Sequence, residues 1–322
     1  MKKIALMLAF AALTLTAFAQ PAGFPGGGAG FFGPRQETIK VWPDGAPNAF
    51  TYDVTKDPHG DQYQEAILEI YPARNPNGRC IIICPGGGYA VLSMTHEGRD
   101  IRQWLNARGF TCCLLQYRMP RGHHEVPLSD VQEAMRIMRG RTDLGITHIG
   151  VMGFSAGGHL AASASTLYVD EMTRPDFSVL IYPVVSLARK FVGQGTRNNL
   201  LGKDEMWDNK DMKVAEFEEK QMLYQKLLTH YSLQNHINEK TPQAFIVHCS
   251  DDKQVPVEHS ILYYTRLIDS NVDAEMHIYP KGGHGWGFSS EKWKGKGKDK
   301  FAYARADFEE TLERWLENIR KM

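Results

Sequence analysis

The pentapeptide GFSAG at residues 153–157 carries the clearest chemical pattern in this 322-residue sequence. An apolar segment at 146–152, typical of a strand, precedes it, and small residues at 156–167, typical of a helix, follow it. Between a strand and a helix, G-x-S-x-G forms a strained turn, the nucleophile elbow, that exposes the serine hydroxyl. The helix directs its first amide groups towards negative charge on a substrate. The pattern therefore predicts that Ser155 is a nucleophile.

A serine hydroxyl needs a base to remove its proton, and the base needs a carboxylate to orient it. With this elbow the chain order is serine, acid, histidine. The acid is predicted after the apolar segment 244–249, where Asp251 and Asp252 are both candidates. We favour Asp252, because it leaves room for a turn before the next helix, whereas Asp251 would more naturally fix that turn. The base is predicted to be His284, which follows a strand in the glycine-rich segment GGHGWG at 282–287.

Other histidines are predicted to have different roles. His248 and His277 lie within predicted strands, where a structural role is the more common one. His159 lies in the helix after the elbow, a poor position from which to reach the serine hydroxyl. His123 and His124 lie in a loop, where they either line a cleft or face solvent.

Acyl transfer also needs hydrogen-bond donors for the oxyanion of the tetrahedral intermediate. The apolar segment 79–84 leads into PGGGY at 85–89, where glycine lets backbone amides approach a ligand closely. This loop and the amide of Ala156 are predicted to supply the donors. The alternative for 85–89 is a tight turn without a catalytic role. A phosphate loop is excluded because no Lys-Ser or Lys-Thr pair follows.

The segments around these residues alternate between strands and helices, which predicts a mostly parallel sheet with helices on both faces, an α/β fold. Predicted strands lie at 79–84, 110–117, 146–152, 179–185, 244–249 and 275–279. Predicted helices lie at 97–108, after Ser129 as an N-cap, and at 156–167, 257–268 and 308–319. Two segments that alternate apolar and polar residues, 38–42 and 66–71, are predicted to form an antiparallel edge.

The N-terminal residues are predicted to serve targeting rather than the fold. Residues 1–19 combine two lysines, an apolar stretch and a small-x-small cleavage site, as a secretory signal peptide does. We therefore expect an exported protein, periplasmic or secreted, with no membrane span after cleavage. Residues 20–35, rich in Gly and Pro, are predicted to be a leader, and 36–322 to be one α/β domain.

The polar segment at about 187–238 is too long for an ordinary connection between two strands. It is predicted to be a short insertion over the active-site edge of the sheet. Phe191 and Trp207 are candidates for closing an acyl pocket or stacking on a sugar. The alternative is that these aromatic residues anchor the insertion to the core.

Charge and cysteine content exclude several kinds of site. The 37 basic and 37 acidic residues balance, which argues against nucleic acid or an anionic membrane as the main partner. No Cys/His cluster has the spacing of zinc ligands. The five cysteines are expected to be buried free thiols, with one bridge between neighbouring strands as the alternative. They are Cys80, Cys84, Cys112, Cys113 and Cys249.

Four motifs together resemble those of the α/β-hydrolase superfamily. They are PGGGY at 85–89, GFSAGG at 153–158, DKQVP at 252–256 and GHG at 283–285. More closely, the chain resembles exported bacterial carbohydrate esterases of the acetylxylan-esterase-like branch, near the hormone-sensitive-lipase-type esterases. The resemblance covers about residues 36–322.

This resemblance implies an α/β-hydrolase fold and a serine esterase with the catalytic triad Ser155, Asp252 and His284, in agreement with the residues themselves. It implies that the substrate is an acylated plant polysaccharide or oligosaccharide, or a small ester, with short acyl groups, above all acetyl. No metal or organic cofactor is needed for this chemistry.

The resemblance also assigns the oxyanion hole to the amides of Gly87, Gly88 and Ala156. One position departs from the pattern: Pro85 stands where many relatives carry His. Since proline cannot replace that side chain, the support of this loop must differ.

Three alternatives are weighed against the esterase. A peptidase is disfavoured because no second domain restricts access, and a lipase because the insertion at 187–238 lacks a long apolar face. A binding protein that keeps the fold without catalysis usually loses a member of the triad, whereas all three residues are present here.

Overall fold

The structure of this chain is a computed structural model, which describes residues 36–52, 63–188, 193–202, 213–288 and 301–319. The predicted signal peptide at 1–19 and leader at 20–35 lie outside the described residues. The same holds for Phe191 and Trp207, so their predicted roles at a pocket remain predictions.

The described residues form a sheet of eight strands in the order β1-β2-β4-β3-β5-β6-β7-β8. The strands are β1 (Glu37–Lys40), β2 (Ile67–Tyr71), β3 (Arg79–Cys84), β4 (Thr111–Gln116), β5 (His148–Phe154), β6 (Phe177–Ile181), β7 (Gln243–Cys249) and β8 (Ala274–Tyr279). β2 pairs antiparallel with β1 and β4, and all other neighbours are parallel. The predicted mostly parallel sheet with an antiparallel edge is confirmed.

Helices cover both faces of this sheet. They are α1 (Asp100–Asn106), α2 (Val126–Arg139), α3 (Ser155–Thr166), α4 (Gln194–Leu201), α5 (Val214–His230), α6 (Glu258–Asp269) and α7 (Ala302–Ile319). Because successive strand side chains point to opposite faces, Ile81 and Ile83 enter one core while Cys80 and Ile82 enter the other. Helices α1 and α7 pack on the first core, and α2, α3 and α6 pack on the second.

Three predicted helix starts are wrong. The closing helix α7 begins at Ala302 rather than at residue 308. Ser129 does not cap α2, because the helix begins at Val126 with a proline in its first turn, where the missing N–H costs nothing. The Ser129 hydroxyl instead donates to the carbonyl of Val126 (2.7 Å). The helix predicted at 97–108 is α1 preceded by a π-helical turn, Thr95–Arg99, so its first residues have a different hydrogen-bond pattern.

The cysteines follow the prediction of buried thiols. All five are buried and free. Sγ of Cys80 on β3 lies 3.7 Å from Sγ of Cys113 on β4, a contact between neighbouring strands without a covalent bond. Burial raises the pKa of Cys112 well above its ordinary value, so this thiol stays protonated and packs as a small apolar side chain.

Candidate active site

The four loops that carry the predicted site residues leave the same edge of the sheet. They follow β3, β5, β7 and β8, which run parallel, and their carboxyl ends therefore meet at one edge. In open α/β sheets this is the edge at which ligands bind. The sheet thus brings residues from distant parts of the chain to one place.

The elbow joins β5 directly to α3, and Ser155 has a φ of +53°, in the left-handed region. Such a backbone is strained for a residue other than glycine and persists only where the surroundings enforce it. A Cβ on Gly153 would lie 2.1 Å from the carbonyl oxygen of Gly157, and one on Gly157 would lie 2.1 Å from the carbonyl oxygen of Cys84. Only glycine fits at either position, which explains the spacing of the motif.

Ser155, His284 and Asp252 form a continuous chain of hydrogen bonds. Oγ of Ser155 lies 2.8 Å from Nε2 of His284. Nδ1 of the same ring lies 2.6 Å from Oδ2 of Asp252. Because a carboxylate can only accept, Nδ1 carries the ring proton and leaves Nε2 free to accept the serine proton. The arrangement can remove a proton from the hydroxyl and hold the resulting charge.

The carboxyl group of Asp252 is fully enclosed by hydrogen-bond donors. Its Oδ1 accepts from the amides of Gln254 (2.9 Å) and Val255 (3.0 Å). Nε2 of His248 lies 3.3 Å from Oδ2, the oxygen that also contacts His284, and 2.9 Å from the carbonyl oxygen of Val255. Burial by itself would raise the pKa of Asp252, but the hydrogen bonds from His248 and His284 outweigh it and hold this pKa well below its usual range. The group is therefore ionised at neutral pH.

The two candidate acids have different partners. Oδ1 of Asp251 accepts from the amide of Gly283 (2.7 Å), directly beside His284. The expectation that Asp251 fixes the turn before the next helix is wrong, because Asp252 makes those turn bonds with its second oxygen. Asp251 instead ties the loop of the histidine to the loop of the acid.

Glycine shapes the segment that carries His284. Gly283 and Gly285 have φ values of +63° and +70°, which turn the backbone on both sides of the imidazole. A Cβ on Gly282 would lie 2.4 Å from Sγ of Cys249, so this residue also allows a close approach to β7. Beyond the histidine, Trp286 stacks on Phe301 with ring centroids 3.8 Å apart and anchors the segment.

The loop after β3 presents backbone amides beside the elbow. Gly87 and Gly88 have φ values of +134° and +64°, and within the described residues their amides donate no hydrogen bond. The amide of Gly86, by contrast, donates to Oε2 of Glu97 (2.8 Å). Ala156 lies in the first turn of α3, where amides have no acceptor inside the helix. Gly87, Gly88 and Ala156 are thus the amides that a substrate oxygen can use, and their role at an oxyanion remains a prediction.

The described part of the predicted insertion contacts this loop. The side-chain amide of Asn199, on α4, donates to the carbonyl of Gly88 (2.8 Å). The carbonyl of Asn199 accepts from the amide of Gly122 in the loop after β4 (3.0 Å). Helix α4 therefore lies against the glycine loop.

The other histidines mostly make structural contacts. His159 accepts from the hydroxyl of Tyr89 at Nδ1 and donates to the carbonyl of Tyr231 at Nε2, both at 2.9 Å. Burial lowers the pKa of His159 to about 4, so it is neutral. His123 stacks on Phe50 with centroids 4.0 Å apart. His248, predicted to have a structural role within its strand, also contacts Asp252, which no pattern in the sequence indicated.

The described ranges contain neither a metal-ligand cluster nor a membrane-spanning helix. No group of three or more His, Cys, Asp and Glu side chains is arranged to hold a metal ion there. None of the helices described is both long and apolar enough to cross a bilayer.

Comparison with known families and sequences places this geometry in context. A family model described as alpha/beta hydrolase fold matches residues 81–288. The chain is 38% identical over 231 residues to an acetylxylan esterase of Xylanibacter ruminicola, covering 70% of this chain and 45% of that protein. It is 28% identical over 223 residues to endo-1,4-β-xylanase B of Butyrivibrio fibrisolvens, covering 64% and 32%. The chain thus spans less than half the length of these two relatives.

Solved structures give a similar result. An acetyl ester-xyloside bifunctional hydrolase from Caldicellulosiruptor lactoaceticus superposes with a TM-score of 0.69 at 32% identity, covering 90% of this chain and 98% of that one. A carboxylesterase from Lactobacillus plantarum superposes with a TM-score of 0.63 at 21% identity, covering 79% and 93%, which is a likeness of fold.

Proposed function

The chain belongs to the alpha/beta hydrolase fold family, and on that premise we propose that it is a serine esterase that removes acetyl groups from xylan or its oligosaccharides. The observation that supports this most strongly is the unbroken hydrogen-bond chain from Ser155 through His284 to Asp252. A binding protein that kept the fold without catalysis would not require these three side chains to be hydrogen-bonded in sequence.

In the proposed mechanism, Oγ of Ser155 attacks the ester carbonyl carbon while Nε2 of His284 takes the serine proton. The ionised Asp252 stabilises the imidazolium that forms. The amides of Gly87, Gly88 and Ala156 donate to the oxyanion of the tetrahedral intermediate. Its collapse breaks the ester bond, and the imidazolium gives its proton to the departing sugar oxygen. Water then attacks the acyl carbonyl carbon while Nε2 of His284 takes its proton, and collapse of the second tetrahedral intermediate returns that proton to Oγ of Ser155 and releases the acid.

Two similarities support the acetyl-xylan substrate. The relative from Xylanibacter ruminicola is named as an acetylxylan esterase, and the structural neighbour at 32% identity as an acetyl ester-xyloside hydrolase. The signal-peptide pattern at 1–19 further supports export, since a polymeric substrate lies outside the cell.

The contact between α4 and the glycine loop supports a preference for short acyl groups. Asn199 packs on Gly88, so α4 limits the space beside the oxyanion donors. Each added methylene must find room, and overpacking costs about 1–3 kcal/mol. We expect kcat/KM for p-nitrophenyl butyrate to be about tenfold to a hundredfold below that for the acetate ester.

The experiment measures acetic acid released from acetylated xylan, with Ser155→Ala as the matched control. We expect release by the unchanged protein and almost none by the variant. Rates on p-nitrophenyl acetate, butyrate and octanoate are measured in parallel. A value of kcat/KM that stays level or rises with chain length would contradict the acetyl esterase and favour a lipase-like activity.

A further inference from the structure

A buried glutamate connects two loops of the candidate active site. The side chain of Glu97 is 3% exposed and lies on the π-helical turn Thr95–Arg99. Its Oε2 accepts from the amide of Gly86 in the glycine loop (2.8 Å), and its Oε1 accepts from the hydroxyl of Tyr182 (2.7 Å). Each of the two carboxyl oxygens thus accepts one hydrogen bond. From the sequence, Glu97 is predicted only as the first residue of a helix.

Tyr182 carries the connection to the histidine loop. Its hydroxyl accepts from the amide of Gly287 (2.9 Å), and its ring lies beside the imidazole of His284 with centroids 4.8 Å apart. Burial and the charge of Glu97 raise the pKa of Tyr182 well above its ordinary value, so the hydroxyl keeps the proton that it donates. A continuous path thus runs from Gly86 through Glu97 and Tyr182 to Gly287.

The turn that holds Glu97 also contacts the histidine loop through its backbone. The carbonyl of His96 accepts from the amide of Phe288 (2.7 Å). The turn is closed by a bond from the amide of Arg99 to the carbonyl of Met94 (2.9 Å), five residues apart. Single π-helical turns of this kind occur often at functional sites. The turn therefore contacts two adjacent residues of the histidine loop: Phe288 directly, through the carbonyl of His96, and Gly287 through Glu97 and Tyr182.

The glycine loop lies too close to the elbow to shift without consequence. A Cβ on Gly86 would be 3.0 Å from Cβ of Ser155 and 2.7 Å from the carbonyl oxygen of Phe154. A movement of Gly86 would redirect the amides of Gly87 and Gly88, which follow it. A buried carboxylate is tolerated only where donors satisfy it, and here the donors come from both sides of the site. Nε2 of His96 lies 4.0 Å from Oε1 of Glu97, beyond hydrogen-bond distance, so the two hydrogen bonds of this carboxyl group form only when the glycine loop and Tyr182 are both in place.

We propose that Glu97 is a positioning residue, which keeps the glycine loop and the His284 loop at the separation that acyl transfer needs. This inference rests on the proposed serine hydrolase mechanism and deepens it. Glu97 does not touch the substrate. It acts through Gly86 on the oxyanion donors, and through Tyr182 and Gly287 on the loop of the base.

Two conservative variants test this role. Glu97→Gln keeps the shape but offers one acceptor oxygen to two donors, so either the amide of Gly86 or the hydroxyl proton of Tyr182 loses its acceptor. We expect kcat for p-nitrophenyl acetate to fall by about tenfold to a hundredfold, less than the loss of an oxyanion donor itself, with KM changed by less than about threefold. Tyr182→Phe removes the linking hydroxyl and keeps the ring beside His284, and we expect a smaller loss of the same kind.

The double variant shows whether the two side chains act as one unit. If they do, Glu97→Gln with Tyr182→Phe is about as slow as the slower single variant. Asp130→Asn is the matched structural control, because Asp130 is equally buried and its hydrogen-bond partners are Arg118 and Trp42 rather than residues of the glycine loop or the His284 loop. We expect this control to lower the melting temperature while its kcat per folded molecule stays at the wild-type value.

Labelling of Ser155 by a fluorophosphonate separates this inference from the choice of substrate, because the probe needs the nucleophile and oxyanion donors but no sugar. We expect Glu97→Gln to be labelled at least about tenfold more slowly than wild type, in step with kcat. If wild type is labelled and Glu97→Gln reacts at the same rate, the inference is wrong and the serine hydrolase stands. If wild type is not labelled at Ser155, the proposed function and the inference both fail.

Discussion

Two segments meet at the candidate active site, and different interactions hold them. The elbow between β5 and α3 is enclosed by backbone, since a Cβ on Gly153 or Gly157 would overlap a carbonyl oxygen. The loop after β8 has open space around Gly283 and Gly285, where a Cβ would meet nothing within 4 Å. Hydrogen bonds to side chains hold that loop instead: the amide of Gly283 donates to Asp251, and the amide of Gly287 donates to the hydroxyl of Tyr182.

This difference predicts different responses to substitution. The elbow has no space for an added side chain, so a larger residue at Gly153 or Gly157 would prevent the turn from forming. The histidine loop is held by several hydrogen bonds to separate side chains, so the loss of one bond leaves the others in place. We therefore expect abrupt losses at the elbow and graded losses around the loop, except at the groups that perform the chemistry.

The two neighbouring acids should give the largest contrast. Asp252→Asn leaves the shape intact but disturbs the tautomer of His284, and we expect kcat to fall by about 10⁴, as removal of the triad charge does in serine proteases. In Asp251→Asn the amide oxygen can still accept from Gly283, so we expect kcat to fall by less than about tenfold. Initial rates on p-nitrophenyl acetate measure both. The reverse order would transfer the role of the triad acid to Asp251.

Glycine-to-alanine substitutions separate the two kinds of support. In Gly157→Ala the new methyl group would overlap the carbonyl oxygen of Cys84, and we expect the free energy of unfolding to fall by about 4 kcal/mol or more. In Gly283→Ala there is space, and only the left-handed backbone with φ of +63° opposes the change, at a cost of about 1–2 kcal/mol. Urea denaturation compares the two variants. Equal losses would mean that steric enclosure does not distinguish the elbow.

Acid should act on the elbow side through His159, which lies in α3. Burial lowers its pKa to about 4, against an ordinary value of 6.5, so the unfolded chain binds a proton that the folded chain does not. The contribution of neutral, buried His159 to the free energy of unfolding is therefore fully present above pH 6.5. It is lost as the pH falls towards 4, by about 3 kcal/mol in all.

His159→Gln should flatten this loss of unfolding free energy between pH 6.5 and 4. Tyr89→Phe is the matched control, because it removes a partner of His159 but leaves the ring buried, and it should keep the wild-type slope. Denaturation in urea at several pH values measures all three proteins. An unchanged slope in His159→Gln would show that another group controls acid unfolding.

Local patterns in the sequence predicted the parts of the site that local structure determines. Ser155 and His284 each follow a strand within a glycine-rich segment. In the structure the imidazole of His284 lies within hydrogen-bond distance of Ser155 on one side and of Asp252 on the other. The mostly parallel sheet and its antiparallel edge were also predicted, because strands buried on both faces are continuous apolar runs, whereas strands buried on one face alternate apolar and polar residues.

Contacts between distant residues could not be predicted in the same way. Glu97 and Tyr182 are 85 positions apart, and neither belongs to a motif. The spacing of apolar residues indicated a helix at 97–108 but could not reveal the π-helical turn at its start, since both structures bury similar positions. Asp251 and Asp252 are adjacent and chemically identical, and they differ only in their partners: Asp251 accepts from the amide of Gly283, and Asp252 contacts the ring of His284. Those partners depend on the fold of both loops.

A covalent acyl-enzyme on Ser155 is the most direct consequence of the proposed mechanism. The slow variant Asp252→Asn is mixed with p-nitrophenyl acetate, quenched in acid during turnover, digested and analysed by mass spectrometry. We expect one added acetyl group on the peptide that contains Ser155, and none when Ser155→Ala is treated in the same way. Acetyl on another residue in equal amount, or turnover by Ser155→Ala at the wild-type rate, would contradict a serine esterase that uses this nucleophile.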